Sequence, residues 1–189
     1  MTAAKIQKIA LERFAKQGFA ATSLNEIATD VGIKKPSIYA HFKNKDELYL
    51  SLIPIMVDEE LGYAKTVLQG GENIQQQLHE YFTSIEQRFN ESYAVQFWMN
   101  ALISPPVHLY DQVIEPMHVF MAELEQVFFQ AIQQSILINN RHQLDGLVLA
   151  RVCMSFVDAL QSELIYGGQE KFRLRRDAIL KALDVLIST

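Results

Sequence analysis

The chain has 189 residues, 49% of them hydrophobic and 21% charged, which is ample for a packed core and excludes a disordered polyelectrolyte. Its formal net charge is −5, but residues 1–50 hold eight Lys and Arg against five Asp and Glu, net +3, and the remainder nine against seventeen, net −8. A basic head on an acidic body suits a DNA binder, because phosphate attraction needs a local basic face and not a basic protein.

Thr2 is placed to cap a first helix whose inner stripe is Ile6, Ile9, Ala10 and Phe14, closed by Gly18 near Gln17. Ser23 with Glu26 three residues on is a capping box, and Leu24, Ile27, Ala28 and Val31 give the short helix behind it one apolar face. Gly32 suits the left-handed stop, and Ile33 is an apolar plug. A second short helix begins near Lys35 or Pro36, with Ile38 and Phe42 inward. Lys34, Lys35, Ser37, Tyr39 and His41 are left outward. Two short helices across a glycine turn, the second basic and hydroxyl-bearing, make a helix-turn-helix.

Asn44 caps a longer helix carrying Leu48, Leu52, Ile55 and Met56, within which Pro54 predicts a kink or local break. Gly70-Gly71 ends it. Glu72 to Phe89 is a further helix, and Tyr93 to Ile103 a short one rich in large apolar groups. Ser104-Pro105-Pro106 interrupts the chain, Glu115-Pro116 marks a fresh start, and the next helix runs to about Ile136 before a turn at Asn139-Asn140. The last two helices, Leu144–Tyr166 and Phe172–Ile187, flank Gly167-Gly168. The first reads as apolar on nearly every side, and the second repeats Leu174, Ala178, Leu183 and Leu186. That surplus of apolar surface predicts self-association. Arg151, Asp158, Gln161 and Glu163 interrupt the most hydrophobic run, so it reads as a buried helix and not a membrane span. The expected fold class is all-α.

The stretch IYAHFKNKDEL after TSLNEIATDVGIKKPS resembles the N-terminal signature of the tetracycline-repressor (TetR-type) family of bacterial transcriptional regulators. Ile6, Ala10, Phe14, Gly18 and Phe19 extend the match back along the first helix. The resemblance covers about the first 50 residues densely and the rest by length and helical plan. It implies that the second short helix enters the major groove and that the next helix links it to a ligand-binding body. It also implies that the last two helices form a four-helix interface in a twofold dimer. Lys34-Lys35-Pro36 stands at positions the family varies, so no operator sequence carries over.

Lys35, Pro36, Ser37 and Tyr39, beside Lys34, are the candidates for base edges and groove walls, since lysine donates to guanine and an apolar ring meets a thymine methyl. Thr22, Ser23, His41, Lys43 and Lys45 are phosphate candidates, with Ser23 also explained by capping alone. Tyr63, Tyr81, Phe97, Trp98, Met99, Phe120, Met121, Phe128 and Met154 are candidates to line an effector cavity, though such a set equally makes ordinary core. Asp158 either meets a ligand donor or pairs with Arg151 at a dimer seam. Cys153, the single cysteine, reads as a small core residue and excludes an internal disulfide. Glu115-x-x-His118 lacks the second such pair that a di-iron bundle needs, and no nucleotide loop or nucleophile elbow occurs, so neither catalysis nor a cofactor or metal is expected.

These readings converge on a cytoplasmic, homodimeric, DNA-binding regulator, with residues 1–45 reading operator DNA and residues 46–189 binding a small hydrophobic or amphipathic effector and dimerising. The alternative from another class is a DNA-binding regulator controlled by a protein partner, with a filled core.

Overall fold

The computed structural model describes residues 2–69, 73–139 and 145–188, with side chains placed through 135 in the second stretch and 187 in the third. The described elements are helical throughout: α1 (Ala3–Ala21), α2 (Leu24–Val31), α3 (Lys35–Tyr39), α4 (Lys45–Leu50), α5 (Ile53–Gln69), α6 (Ile74–Glu91), α7 (Tyr93–Ile103), α8 (Tyr110–Asn139), α9 (Gly146–Ser162) and α10 (Gly168–Ser188). A 3-10 turn at Val107–Leu109 precedes α8, and a π turn at Glu163–Gly167 joins α9 to α10. Gly70-Gly71, Asn140 and Leu144, expected to end or begin helices, lie outside the described residues.

The local signals at the N-terminus act as expected. Ser23 Oγ accepts the Glu26 N–H at 3.2 Å while the Glu26 carboxylate accepts the Ser23 N–H at 2.8 Å. This closed box contributes about 1 kcal/mol to α2. Gly32 at φ 80° ends α2, and the Ile33 N–H reaches back to the Ala28 carbonyl at 2.9 Å. Gly18 at φ 75° breaks helical geometry inside α1, where the sequence places the stop. Thr2 takes the cap position of α1, yet its side chain makes no capping bond.

The helix expected from Asn44 onward is two helices, separated at Ser51-Leu52. Pro54 stands in the first turn of α5, where its missing N–H would have had no helical partner in any case.

Pro116 corrects an expectation: it starts nothing and lies inside the continuous α8. Proline in a helix interior costs about 3 kcal/mol through one lost hydrogen bond and a clash. Against this, Leu109, Val113, Met117, Phe120 and Leu124 are all buried, at a spacing that carries one unbroken apolar stripe past the proline. Each such side chain contributes about 1.5–3 kcal/mol on burial, so the stripe wins.

The chain divides into two compact units, residues 1–60 with 89–119 and residues 61–88 with 120–189. In the first, Phe14 packs edge-on to Tyr49 at 5.1 Å between ring centroids, Tyr49 lies 4.9 Å from Phe97, and Asn100 Nδ2 donates to the Ala15 carbonyl at 2.6 Å. These contacts fasten α7 and α4 to α1. In the second, Phe82 and Phe128 stack at 6.1 Å, with Cys153, Leu160, Phe172 and Leu183 buried in the same unit. Burial pushes the Cys153 thiol up to about 12, which leaves it an inert core residue.

The last two helices revise the sequence reading. α9 is not apolar all round: Leu149, Cys153, Val157 and Leu160 are buried, while Val148, Arg151, Ser155 and Asp158 are exposed along one side. On α10, Leu183 is fully buried and Leu186 half-buried, so neither is the exposed apolar face expected of them. Phe172, Ile179 and Leu183 recur at seven- and four-residue steps and take the core side. The outward apolar residues are instead Leu174, 67% exposed, and Val185, 66% exposed, with Ala178 between them.

Candidate nucleic-acid interface and ligand cavities

α2 is tied to α1 by two cations of that helix. Arg13 holds the Asp30 carboxylate with two hydrogen bonds, Nε at 2.5 Å and a terminal nitrogen at 2.9 Å, and lies 3.6 Å from Glu26. Those donors hold the Asp30 carboxyl below its ordinary range. Lys5 Nζ donates to the Val31 carbonyl at 3.2 Å at the far end of α2. Ile38, fully buried, and Phe42 anchor α3 from its inner side.

What remains outward is a basic surface. Ser23, Lys34, Lys35, Pro36, Ser37, Tyr39, His41 and Lys43 are all exposed, and residues 31–45 include four lysines and no acid. Lys35 Nζ sits 5.9 Å from the Tyr39 ring centroid, so ammonium and aromatic face stand together on α3. Ser23 Oγ accepts a capping bond and keeps its own O–H to donate.

Two phosphate candidates depart from this picture. Thr22 is 1% exposed and its hydroxyl donates to the Gly18 carbonyl at 2.8 Å, so the side chain is spent on closing the α1–α2 turn. Lys45 Nζ donates to the Phe19 carbonyl at 2.9 Å and the Thr22 carbonyl at 3.0 Å, and lies 4.0 Å from the Phe19 ring centroid. An ammonium has three protons, so one is left for a phosphate, but the first role of Lys45 is to tie α4 to the end of α1.

The effector candidates fall into separate groups. Phe97, Trp98 and Met99 are buried on α7 in the first unit. Tyr63, Tyr81, Phe120, Met121, Phe128, Met154 and Asp158 belong to the second. There Tyr81 lies 5.1 Å from Phe128 and 6.2 Å from Tyr63, and the Arg88 guanidinium covers Tyr63 at 4.2 Å and Tyr81 at 5.3 Å. Tyr63 and Met121 are half-buried, whereas Tyr81, Phe120, Phe128 and Met154 are buried. Asp158 stands on the exposed side of α9, away from that aromatic core, and desolvation holds its carboxyl above the ordinary range. Arg151 does not pair with it within the chain, lying 3.6 Å from Glu125 instead. Glu115 and His118 are both exposed on α8, whereas a metal pair in a bundle core would face inward.

A cavity of 720 Å³ opens within the first unit, against the C-terminal part of α1, Tyr49, the end of α7 and the Ser104–His108 segment. Of the expected ligand residues it includes Phe97 alone. Sequence reasoning missed the rest because they come from stretches up to about 90 positions apart, and only their packing brings them together.

Residues 6–52 match the family model described as bacterial regulatory proteins, tetR family. The N-terminal segment carries the helix-turn-helix of this family. The chain is 40% identical over 63 residues to the uncharacterized HTH-type transcriptional regulator YerO of Bacillus subtilis, covering 33% of this chain and 22% of YerO. It is 30% identical over 97 residues to the biofilm operon icaADBC HTH-type negative transcriptional regulator IcaR of Staphylococcus aureus, covering 47% of this chain and 50% of IcaR. The chain thus spans half or less of these curated relatives. The crystal structure of E. coli NemR in its reduced form superposes with a TM-score of 0.77 at 16% identity, covering 100% of this chain and 99% of that one, a likeness of fold. Among the described residues, no helix is long and apolar enough to cross a membrane.

Proposed function

We propose that the chain is a cytoplasmic, homodimeric transcriptional repressor that reads a pseudo-palindromic operator through α3 and is released by a small hydrophobic or amphipathic ligand. The observation that carries this is the exposed, acid-free basic face of α3, which stands against an α2 tied to α1 by Arg13 and Lys5. Residues 1–45 do the reading, with Lys34, Lys35, Pro36, Ser37 and Tyr39 at the bases and groove walls. Ser23, His41, Lys43 and the spare proton of Lys45 meet phosphates. Residues 46–189 hold the effector and the dimer seam.

The effector site is drawn from the half-buried and buried aromatic and methionine residues of the second unit, Tyr63, Tyr81, Phe120, Met121, Phe128 and Met154, whose soft surfaces accommodate bulky apolar molecules. Phe97, Trp98 and Met99, buried on α7 in the first unit, stand apart from that set. The seam uses the exposed faces of α9 and α10, and Val148, Ser155 and Asp158 share that side of α9. A ligand shifts the operator equilibrium only by its difference in affinity for the two states, so operator DNA must weaken the ligand by the same factor.

Lys35→Ala is the direct test of the reading helix. A bidentate or apolar base contact discriminates by about 1–3 kcal/mol, so the variant relaxes preference at one position in each half-site. Binding titrations on the selected operator and its single-base variants check this. Unchanged affinity and preference would remove α3 from the groove.

A further inference from the structure

Tyr49 is 3% exposed, yet its hydroxyl makes no hydrogen bond within the described residues, and burial pushes the phenol up to about 12. A phenol that keeps its hydroxyl at the edge of a buried ring can still donate to a molecule that reaches it. No fully enclosed side-chain oxygen or nitrogen of the described residues lacks a partner, so the Tyr49 hydroxyl keeps a sliver of accessible surface. Tyr49 lines the 720 Å³ cavity of the first unit.

The cavity around it has a definite chemistry. Phe14, Phe19, Tyr49 and Phe97 give it aromatic walls, with Phe19 and Tyr49 edge-on at 5.1 Å. Pro105 and Pro106 supply a stiff apolar rim. Asn100 spends its Nδ2 on the Ala15 carbonyl, which leaves its side-chain oxygen as an acceptor. His108 lies 5.6 Å from the Phe19 ring, with Nε2 3.1 Å from Asp46 Oδ1.

The geometry points to a small-molecule site for a planar aromatic compound that carries a hydrogen-bond acceptor for the Tyr49 hydroxyl and a donor for the Asn100 side-chain oxygen. It is distinct from the effector site proposed above, since none of that site's residues lines it. Flat rings fit between edge-on aromatic walls, and the two polar atoms fix their orientation. Occupancy bears directly on the reading head, because the same stretch of α1 that lines the cavity receives Lys45 and Asn100, and Arg13 at its edge holds Asp30 of α2. This last consequence rests on the regulatory reading above; binding itself does not.

The probe is 7-hydroxy-4-methylcoumarin, whose carbonyl and phenol match the two polar groups and whose fluorescence reports binding. The wild-type chain should raise its anisotropy with a dissociation constant on the order of 100 µM. Tyr49→Phe should weaken it roughly three- to tenfold, the share of one hydrogen bond. Ile103→Trp, which fills the cavity from a position 44% exposed, should abolish binding. Nuclear Overhauser contacts from the coumarin to the Tyr49 and Phe97 rings in the wild-type protein locate the site even if a variant folds poorly. No binding to the wild type, undiminished binding to either folded variant, or contacts only to Tyr63 and Tyr81 overturns the proposal. Operator affinity is measured on the same samples: a wild type that binds no operator yet holds the coumarin here removes the regulatory reading and leaves the site.

Discussion

Leu174→Glu combined with Val185→Glu converts the protein to a folded monomer and weakens operator binding by a hundredfold or more, on the order expected when two linked half-site engagements become one. Both side chains are exposed on one side of α10, with Ala178 between them, so the double change buries no charge within the chain and costs its own fold little. In a twofold pair the same residues meet their counterparts, and four carboxylates then gather at the seam. Leu183→Glu is no substitute, because Leu183 is fully buried in its own unit and the variant would report unfolding. Sedimentation and operator titration on the same samples separate the two effects. A wild type that sediments as a monomer at micromolar concentration, yet binds the operator tightly, contradicts the twofold account.

Operator affinity falls about a thousandfold between roughly 50 and 200 mM salt, if the two half-sites together engage six or more phosphates. Lys43 and the spare donor of Lys45 supply two cations in each half-site, with Lys34 and Lys35 exposed beside them, while Ser23 adds a hydrogen bond without releasing a counterion. Lys43→Ala removes one per subunit, so it lowers affinity evenly across sequences and flattens the salt slope by about 1 for each phosphate no longer neutralised. Lys45→Ala also strands two carbonyls that its ammonium now serves, so it destabilises the head as well as weakening phosphate binding. A salt slope near zero would mean that the basic face does not meet DNA.

The parts of the fold read correctly from sequence are those fixed by neighbours in sequence. The capping box at Ser23, the left-handed stop at Gly32 and the cap at Asn44 each close through hydrogen bonds within five residues, so their spelling is local. The misreadings arise where local and distant forces compete. Pro116 carries a helix-breaking signal, and the apolar stripe from Leu109 to Leu124 overrides it. On α10 leucines recur at several phases, and only packing within the second unit decides that Leu183 faces in while Leu174 faces out. Lys45 reads as a free cation in the sequence because its acceptors, the carbonyls of Phe19 and Thr22, are more than twenty residues away and are backbone atoms that no sequence motif marks.

Selection of bound fragments from random duplex DNA by the purified protein shows whether α3 reads a twofold-symmetric sequence. The account predicts enrichment of two inverted half-sites whose centres lie about one helical turn apart or slightly more, with the preference at one position per half-site lost in Lys35→Ala. Recovery of fragments with no shared inverted repeat, or of one whose preferences are untouched by Lys35→Ala and Ser37→Ala alike, would contradict it.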